Sequence, residues 1–598
     1  MTSPAQNIIP ALEAVYVAMR DGVRLAVDVW RCADQAGDGP SPTMLLTTRY
    51  WRSFALAEDD PRLQGIFALA SYFTRQGYVV VNADSRGSGA SFGVRRTEWS
   101  EEEVADMGDV MEWIVRQPWS DGRVVTHGFS YGGNTAFLAA ACGHPALKVI
   151  APQFADFDIY RHNLFPGGIA NGWLHDNWGR LTAAMDRGDV TAMSRLLPGI
   201  DGDSFRRLVR GPRPVDDDAD GALVRQAIAG HAANFNMAAA DLNFDCVDDA
   251  GRQNTGAFPD ALFDSHRLSI YSHQSAIERS GVPIVYWAGW FDAGTADGAL
   301  NLFASFSNPM RVIIGPWSHG RRFLQDPFVP NGKPSAIDLD ENFEDVRQAV
   351  ESCLAGKGII GRRLDYYTLG ENRWKSTTQW PLPQSTPTRF YLADSRQLSL
   401  AQPQHDDGSD SYVMDEAATT GTENRWHTQI GCMPVSHEDR RQADARLLTY
   451  DSMPLDQDME ITGHPIVHLY LMSNRVDVAL FAYLEMIMPD GNVRLLTEGC
   501  LRAGHRKLLE NDVGYRKFGP VHSFRREDIM PLAPDGMALL SFALLPISIR
   551  IPRGFRLRLA IAGADRDTFK PMPDADGAAI AIGRSRMFAS YLELPVIP

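Results

Sequence analysis

Cysteine is scarce in this sequence and its spacing is irregular. The 598 residues include six cysteines, and no two of them form a Cys-x-x-Cys pair. A disulfide framework needs many cysteines in a short secreted chain, and a structural zinc site needs closely spaced ligands. We therefore expect no metal site and interpret the thiols as buried or incidental. They are Cys32, Cys142, Cys246, Cys353, Cys432 and Cys500.

Long apolar runs and an excess of positive charge are missing as well. No apolar run reaches the roughly 18 residues that cross a bilayer, and the N-terminus lacks the charged and apolar regions of a secretory signal. The formal net charge is −16, whereas binding to phosphates needs clustered Lys and Arg. We expect a cytoplasmic protein without a membrane or nucleic-acid partner. Whether it forms homo-oligomers stays open.

The pattern of elements predicts more than one domain, because the chain is too long for a single core. Strand-like and helix-like segments alternate at first, which favours a mostly parallel sheet covered on both faces. This α/β domain is predicted over residues 1–156 and 275–385, interrupted by a helical insertion over 157–274. Many short strands then predict an all-β sandwich or jelly roll over 386–598.

A Gly-x-Ser-x-Gly run lies where a predicted strand meets a predicted helix. It reads Gly128-Phe129-Ser130-Tyr131-Gly132 and follows the apolar strand that ends near Thr126. In this setting a sharp turn exposes the Ser hydroxyl, and the helix N-terminus lies near a developing oxyanion. The pattern predicts Ser130 as the nucleophile of a serine hydrolase. A structural Ser in a tight turn is the alternative.

A serine nucleophile needs a base and an acid that orients the base. In α/β-hydrolases these follow the nucleophile in the order acid, then His, on loops after later strands. Asp292 follows the predicted strand 283–289, and His319 follows the predicted strand 310–315. Both positions fit a catalytic triad with Ser130. The alternative roles are a helix N-cap for Asp292 and a structural histidine for His319.

An oxyanion hole needs two donors. The backbone N–H of Tyr131, which directly follows Ser130, is one candidate. The loop after the strand 43–48 carries Tyr50, which could offer its hydroxyl or lie beside a backbone N–H. From the residues alone, a packing role for Tyr50 is equally compatible.

Several runs together resemble the CocE/NonD hydrolases, a family that includes cocaine esterase, α-amino-acid ester hydrolases, glutaryl acylases and X-Pro dipeptidyl-peptidases. The runs are DGVRL (21–25), DSRGSG (84–89), GFSYGG (128–133), GWFD (289–292), GPWSH (315–319), TGHP (462–465) and TEGCLRA (497–503). The resemblance implies a Ser130–Asp292–His319 triad and an oxyanion hole completed by the Tyr50 hydroxyl. It also implies an α/β-hydrolase domain with a helical lid, a C-terminal jelly roll and no cofactor.

The sequence departs from the family pattern at positions that determine which substrate is bound. The α-amino-acid ester hydrolases carry acids shortly after the triad Asp, which hold the substrate ammonium, whereas residues 293–295 here are Ala, Gly and Thr. The lid begins with YRHN (160–163), where that subgroup has another acid. These departures predict that an ammonium clamp is absent, which also weakens the X-Pro peptidase interpretation. Asp156 and Asp158 lie close enough in sequence to keep an ammonium site open as the alternative. Aromatic residues favour an apolar acyl pocket: Trp51, Trp173, Trp178 and Phe291.

These observations predict hydrolysis of a small ester or amide through an acyl-enzyme, with a preference for apolar, uncharged acyl groups. An X-Pro dipeptidyl-peptidase and an α-amino-acid ester hydrolase or acyltransferase are alternatives within the enzymes. Transfer of the acyl group to a nucleophile other than water would use the same triad. A binding protein on an inactive hydrolase scaffold is the alternative from another class.

Overall fold

The computed structural model describes most of the chain. The described residues are 9–32, 39–58, 60–237, 246–249, 251–252, 262–263, 265–329, 334–357, 359, 361–510, 513–534, 536–573 and 577–598. Among the helices in these ranges, none is both long and apolar enough to cross a lipid bilayer.

The N-terminal half is organised around a ten-stranded sheet. Its strands are β1 (Ala11–Ala18), β2 (Arg24–Arg31), β3 (Ser41–Thr48), β4 (Val79–Asp84), β5 (Ser120–Phe129), β6 (Leu147–Gln153), β7 (Ile284–Gly289), β8 (Met310–Gly315), β9 (Arg362–Thr368) and β10 (Arg373–Thr377). The spatial order is β1-β2-β4-β3-β5-β6-β7-β8-β9-β10. From β4 to β9 every neighbouring pair is parallel, while β1, β2 and β10 pair in antiparallel fashion.

The sheet is buried on both faces, as its sequence predicts. All six residues of β4 and all six of β7 are buried. Alternate residues point to opposite faces of a strand, so Val79 and Val81 join one core cluster while Val80 joins the other. Continuous apolar strands of this kind need cover on both sides, which explains the helices between them.

Helices cover the sheet and fill the connection between β6 and β7. Those between the sheet strands are α1 (Phe67–Arg75), α2 (Glu101–Val115), α3 (Tyr131–Leu138), α9 (Gln274–Ser280), α10 (Thr295–Ser305) and α11 (Leu339–Leu354). The inserted region contains α4 (Gly172–Asp186), α5 (Val190–Leu196), α6 (Gly202–Leu208), α7 (Ala222–Gly230) and α8 (Ser265–Leu268). The short strand Val209–Pro212 of this region pairs with Phe54–Leu56 in an antiparallel two-stranded ribbon.

One helix begins later than the sequence pattern predicts. The spacing of apolar residues predicts a helix over residues 62–76, whereas α1 begins only at Phe67, after a short 3-10 turn at Pro61–Leu63. Pro61 starts the turn and Gly65 follows it, and glycine is a poor helix former. For α2 the sequence predicts Ser100 as the N-cap, and the structure confirms it, because the Ser100 side chain accepts a hydrogen bond from the Glu103 N–H.

The C-terminal region is a second, mostly antiparallel β structure. Its strands are β11 (Thr386–Ala393), β12 (Gln397–Ser399), β13 (Ser409–Val413), β14 (Leu448–Ser452), β15 (Met459–Gly463), β16 (Ile466–Ser473), β17 (Ala479–Ile487), β18 (Val493–Arg502), β19 (Ala538–Ala543), β20 (Ile547–Ile551), β21 (Arg556–Ala562), β22 (Ala579–Gly583) and β23 (Tyr591–Ile597). A four-residue helix, α12 (Arg441–Asp444), lies between them.

The spatial order of strands in this second sheet is β13-β22-β16-β23-β11-β12-β14-β21-β17-β18. Strands β15, β19 and β20 belong to the same sheet but pair outside this order. Within the described part of this second sheet, only β12 and β14 pair in parallel. The predicted fold class is confirmed: a mixed α/β sheet domain is followed by a mostly antiparallel β domain.

Candidate active site

Ser130 occupies the sharp turn between β5 and α3. Its backbone has φ 58° and ψ −128°, a region that non-glycine residues seldom adopt and that recurs at functional sites. The Ser130 N–H donates to the Gln153 carbonyl on β6 at 3.1 Å, and the Ser130 carbonyl accepts from the Asn134 N–H at 3.0 Å. These bonds hold the turn in its strained form. The half-buried Ser130 side chain lies at the carboxyl end of β5.

Glycines on either side of Ser130 allow this turn. A Cβ at Gly128 would lie 2.4 Å from the Gly132 carbonyl oxygen, and a Cβ at Gly133 would lie 2.4 Å from the Gln153 oxygen. Both distances are far below any real carbon–oxygen contact, so neither position can carry a side chain without backbone movement. A Cβ at Gly132 would meet only the Thr47 oxygen, at 3.6 Å.

Asp292 and His319 form a buried pair on neighbouring loops. Since Gly289 and Gly315 are aligned in the parallel strands β7 and β8, the residues after them leave the sheet at the same edge. His319 Nδ1 lies 3.0 Å from Asp292 Oδ1 and 3.1 Å from Oδ2. His319 Nε2 has no hydrogen-bond partner among the described residues. That nitrogen is therefore available to accept a proton.

Electrostatics favour the protonated form of His319. Burial alone would lower the pKa of the imidazole, but the negative charge of Asp292 and its hydrogen bond outweigh burial and raise the pKa above its ordinary value. Aromatic rings fix the imidazole in place: the centroids of Phe129 and Phe154 lie 6.1 and 5.8 Å from it. Because Phe129 directly precedes Ser130, this packing brings His319 to the nucleophile turn.

The C-terminal β domain reaches the Asp292 loop. The Ala293 N–H donates to the Arg425 carbonyl at 3.1 Å, and the Thr428 hydroxyl lies 3.5 Å from Asp292 Oδ1. On the other side, Thr295 of α10 donates its hydroxyl to Asp292 Oδ2 at 3.0 Å. Sequence reasoning missed Arg425 and Thr428, because a loop more than 130 residues away in sequence carries no local signal for this contact.

A small cavity of about 50 Å³ opens beside Ser130. Its walls are mainly aromatic and aliphatic, with a few polar groups between them. The lining residues are Tyr50, Glu98, Trp99, Ser130, Tyr131, Asp156, Ile159, Asn163, Leu164, Leu174, Trp178, Met237 and Gln429. Such an arrangement of apolar walls and few polar groups is typical of a small-molecule site.

Tyr50 lies against the nucleophile turn with an oriented hydroxyl. Its ring packs edge-on against Tyr131, with centroids 5.9 Å apart, and its oxygen accepts a hydrogen bond from Trp178 Nε1 at 2.8 Å. Burial raises the pKa of Tyr50 to about 12, so the phenol keeps its proton at neutral pH. The structure thus brings together Tyr50, Tyr131 and Ser130 around one cavity.

The four aromatic residues expected to form an acyl pocket separate into two groups. Trp178 lines the Ser130 cavity. Trp51 is buried in a cluster with side chains of helices α4 and α5. Trp173 stacks on His427 at 4.1 Å, and Phe291 lies against His437 beside a different cavity. In the described structure, these three are not among the residues that line the Ser130 cavity.

Two acidic residues lie in the cavity wall: Glu98, which the sequence analysis missed, and Asp156, which it kept open as part of an ammonium site. Glu98 is neutralised by arginines, since its carboxylate lies 2.6 Å from Arg49 Nη1 and 3.1 Å from Arg95 Nε. Asp156 forms no ion pair with any described residue. Asp156 lies three positions after the end of β6. A polar residue just beyond a parallel strand is the local sequence signal of a site position.

The side chains that could hold a metal ion lie elsewhere. Within the described residues, one group of three potential ligands is found, formed by Cys246, Asp248 and Asp249. Asp249 already pairs with Arg526 at 2.7 Å, and the group does not contribute to the lining of the Ser130 cavity. The groups around Ser130 instead suit acid–base and nucleophilic chemistry.

Comparison with known proteins gives the same family for both halves of the chain. Residues 21–321 match the X-Pro dipeptidyl-peptidase S15 family, and residues 362–583 match the X-Pro dipeptidyl-peptidase C-terminal non-catalytic domain. A Mycobacterium bovis protein provisionally named a serine esterase is 38% identical over 97% of this chain and 95% of its own length. Cocaine esterase from a Rhodococcus species is 28% identical over 83% of this chain and 84% of its own length.

Solved structures share the fold at lower identity. An α-amino-acid ester hydrolase has a TM-score of 0.69 at 20% identity, covering 100% of this chain and 98% of that one. An aminopeptidase from a Thaumarchaeota archaeon has a TM-score of 0.70 at 17% identity with the same coverage. The matches to both domains, together with the esterase relatives that span nearly the whole length, show that this chain is a serine hydrolase of the CocE/NonD type within the X-Pro dipeptidyl-peptidase S15 family.

Proposed function

We propose that this protein hydrolyses a small carboxylic ester or amide through an acyl-enzyme on Ser130, with Asp292 and His319 completing the triad. The observation that carries the proposal is the buried His319–Asp292 pair, whose second imidazole nitrogen is unpartnered and whose ring packs against Phe129, the residue before Ser130. A base with an oriented ring, next to a serine on a strained turn, is the arrangement that serine nucleophiles require.

The reaction begins when His319 Nε2 takes the proton of the Ser130 hydroxyl as its oxygen attacks the substrate carbonyl carbon. Asp292 keeps the imidazole in the tautomer that leaves Nε2 free, and its negative charge stabilises the imidazolium that forms. His319 then gives the proton to the departing alcohol or amine. Water repeats the sequence on the acyl-enzyme and releases the acid, which returns Ser130 to its starting form.

The negative charge on the substrate oxygen needs donors that are already in place. In the proposal these are the backbone N–H of Tyr131 at the start of α3 and the hydroxyl of Tyr50. Trp178 supports this role, because an indole N–H can only donate. Its hydrogen bond to the Tyr50 oxygen leaves the phenolic proton for another acceptor.

The cavity walls support an acyl group with an apolar body. Trp99, Trp178 and Leu174 line it together with other apolar side chains, and its small volume favours a short acyl chain. An aromatic pocket built by Trp51, Trp173 and Phe291 has no support in this cavity, and the presence of Asp156 argues against a wholly apolar group.

Replacement of the nucleophile tests the proposed function. Ser130→Ala should lower kcat for p-nitrophenyl esters by about 10⁴-fold or more, as loss of a triad nucleophile does in other serine hydrolases. A fluorophosphonate probe should label the natural chain and not the variant. Retention of more than about a hundredth of the natural rate, or absence of labelling in the natural chain, would contradict the assignment and favour the binding-protein alternative.

The peptidase alternative is tested separately with Xaa-Pro anilides. The proposal expects p-nitrophenyl esters of short acids to be cleaved with the higher kcat/KM. Dominant cleavage of the anilides would instead assign the chain to the peptidase members of its family, and an acyl product formed with an added alcohol or amine would reveal acyl transfer.

A further inference from the structure

Asp156 is held rigidly beside the nucleophile by a reciprocal pair of hydrogen bonds. The Asp156 N–H donates to Asn134 Oδ1 at 2.9 Å, and Asn134 Nδ2 donates to the Asp156 carbonyl at 3.1 Å. Asn134 lies one turn along α3, where its own N–H donates to the Ser130 carbonyl. The Asp156 carboxyl group is therefore placed in the Ser130 cavity by the same turn that places the nucleophile.

Only partial compensation of this carboxyl charge is found among the described residues: burial and the charge of Asp292 raise the pKa of Asp156, and they outweigh the nearby His319, which lowers it. No described cation forms an ion pair with Asp156, and its Oδ1 atom has no hydrogen-bond partner in the described structure. Asn163 interacts with the carboxyl group as a neutral hydrogen-bonding partner. The contrast with Glu98 in the same cavity is clear, because two arginines compensate that acid.

An unpaired acid in an enclosed site carries a free-energy cost that a proton or a bound ligand can relieve. Burial, reinforced by the nearby negative charge of Asp292, raises the pKa of Asp156 to about 7. Without a ligand, the carboxyl group is partly protonated at neutral pH. With a ligand, a hydrogen-bond donor would take the place of that proton.

We propose that Asp156 is a specificity-determining residue that selects an acyl group bearing a hydrogen-bond donor, either a hydroxyl or an ammonium group, close to the scissile carbonyl. This inference rests on the proposed function, since it assigns the acyl side of the same reaction. The apolar side chains of Ile159, Leu164 and Leu174 then enclose the carbon body of the acyl group. The Asp156 carboxylate accepts a hydrogen bond from the hydroxyl or ammonium group of the acyl group.

A series of nearly isosteric esters tests the proposal. The p-nitrophenyl esters of isobutyric acid, lactic acid and alanine place a methyl, a hydroxyl and an ammonium group on the same carbon. For the natural chain we expect kcat/KM for the lactyl or the alanyl ester, corrected for spontaneous hydrolysis, to exceed that for the isobutyryl ester by about 10-fold, the discrimination of one hydrogen bond to a charged group. Equal values for all three esters would overturn the proposal.

Variants of Asp156 identify the donor. In Asp156→Ala the preference over the isobutyryl ester should fall to near unity. In Asp156→Asn an ammonium preference should be lost while a hydroxyl preference persists, because the neutral amide still accepts a hydrogen bond but no longer attracts a cation. A ratio unchanged in Asp156→Ala would contradict the proposal.

The control variant is Glu527→Gln, which removes one negative charge from an exposed side chain of the C-terminal domain and should leave all three kcat/KM values unchanged. Circular dichroism melting confirms folding of each variant. Failure of this inference is distinguishable from failure of the proposed function: Ser130→Ala should abolish hydrolysis of all three esters whichever acyl group is preferred.

Discussion

Trp178 Nε1, on helix α4 of the inserted region, donates a hydrogen bond at 2.8 Å to the oxygen of Tyr50, in the loop after β3. The indole can act only as a donor, so the Tyr50 oxygen acts as an acceptor here and its own proton is directed elsewhere. The guanidinium of Arg49 lies 5.0 Å above the Trp178 ring, which fixes the indole in turn. Helix α4 thereby orients the Tyr50 hydroxyl, which we propose as a donor of the oxyanion hole.

Removal of the Tyr50 hydroxyl tests this assignment. Tyr50→Phe should lower kcat by about 10²- to 10³-fold, which is the usual effect of losing one oxyanion donor, with a much smaller change in KM. The measurement is steady-state kinetics with a p-nitrophenyl ester. A change confined to KM would indicate that Tyr50 binds the substrate but does not stabilise the transition state.

Trp178→Phe should act through Tyr50. The variant keeps an aromatic ring but loses the N–H donor, so we expect a smaller decrease in kcat than in Tyr50→Phe. The double variant should be no slower than Tyr50→Phe alone, because both changes remove the same interaction. Fully multiplicative effects would show that the two residues act independently.

The pH dependence of kcat/KM should reflect the titration of His319. The general base must be neutral, and Asp292 raises its pKa above the ordinary value of about 6.5. Activity is therefore expected to fall as the pH decreases through a value above about 6.5. The rate profile between pH 5 and 9 measures this limb.

Asp292→Asn separates the causes of that shift. Without the carboxylate charge, burial dominates and lowers the pKa of His319, so the acidic limb should move to lower pH. The maximal rate should fall by about 10⁴-fold, because the imidazole loses the partner that sets its tautomer. An unchanged acidic limb would assign that titration to another group.

Glycine substitutions test the geometry of the nucleophile turn. Gly128→Ala should nearly abolish activity and lower the melting temperature, because its Cβ would lie 2.4 Å from the Gly132 oxygen. Gly132→Ala is the matched control, since its Cβ would meet only the Thr47 oxygen at 3.6 Å. Equal activity of the two variants would contradict the close approach of strand and helix.

Arg52 anchors the loop that carries Tyr50. Its Nε atom lies 2.8 Å from Asp28 Oδ1 and its Nη1 atom 3.0 Å from Asp84 Oδ2, all three side chains being fully buried. Arg52→Met should lower the free energy of unfolding by about 3 to 5 kcal/mol, because two buried carboxylates lose their partner. Denaturant titration measures the change.

Arg62→Met is the control for that experiment. Arg62 pairs with Asp60 at the surface, and its side chain is 62% exposed. Exposed ion pairs contribute little to stability because water and salt screen them, so this variant should be nearly as stable as the natural chain. A comparable loss in both variants would show that the buried position of Arg52 is not the cause.

The sequence was sufficient to predict the fold class and the turn that holds Ser130. Apolar strands alternating with helices require a parallel sheet covered on both faces, and the glycines around Ser130 mark a close approach of strand and helix. Asp292 and His319 were also predictable, because chain order and position after a strand are local properties of the sequence. Their catalytic roles remain proposals that the experiments above test.

Composition could not predict the cavity wall. Of the four aromatic residues expected there, Trp178 lines the cavity, whereas Trp51, Trp173 and Phe291 pack elsewhere. An aromatic side chain has the same sequence signature in a core and in a pocket, since both bury it. Only the three-dimensional packing distinguishes the two.

The sequence by itself therefore determined what depends on local patterning: the layered sheet, the strained serine turn, and an acid and a histidine in the right order. The tertiary structure decided what depends on contacts between distant segments. It brought Thr428 of the β domain next to Asp292 and placed Trp178 of helix α4 against Tyr50. It also left the Asp156 Oδ1 atom without a hydrogen-bond partner among the described residues. Such contacts arise when separate units pack together, and no periodicity within a single segment encodes them.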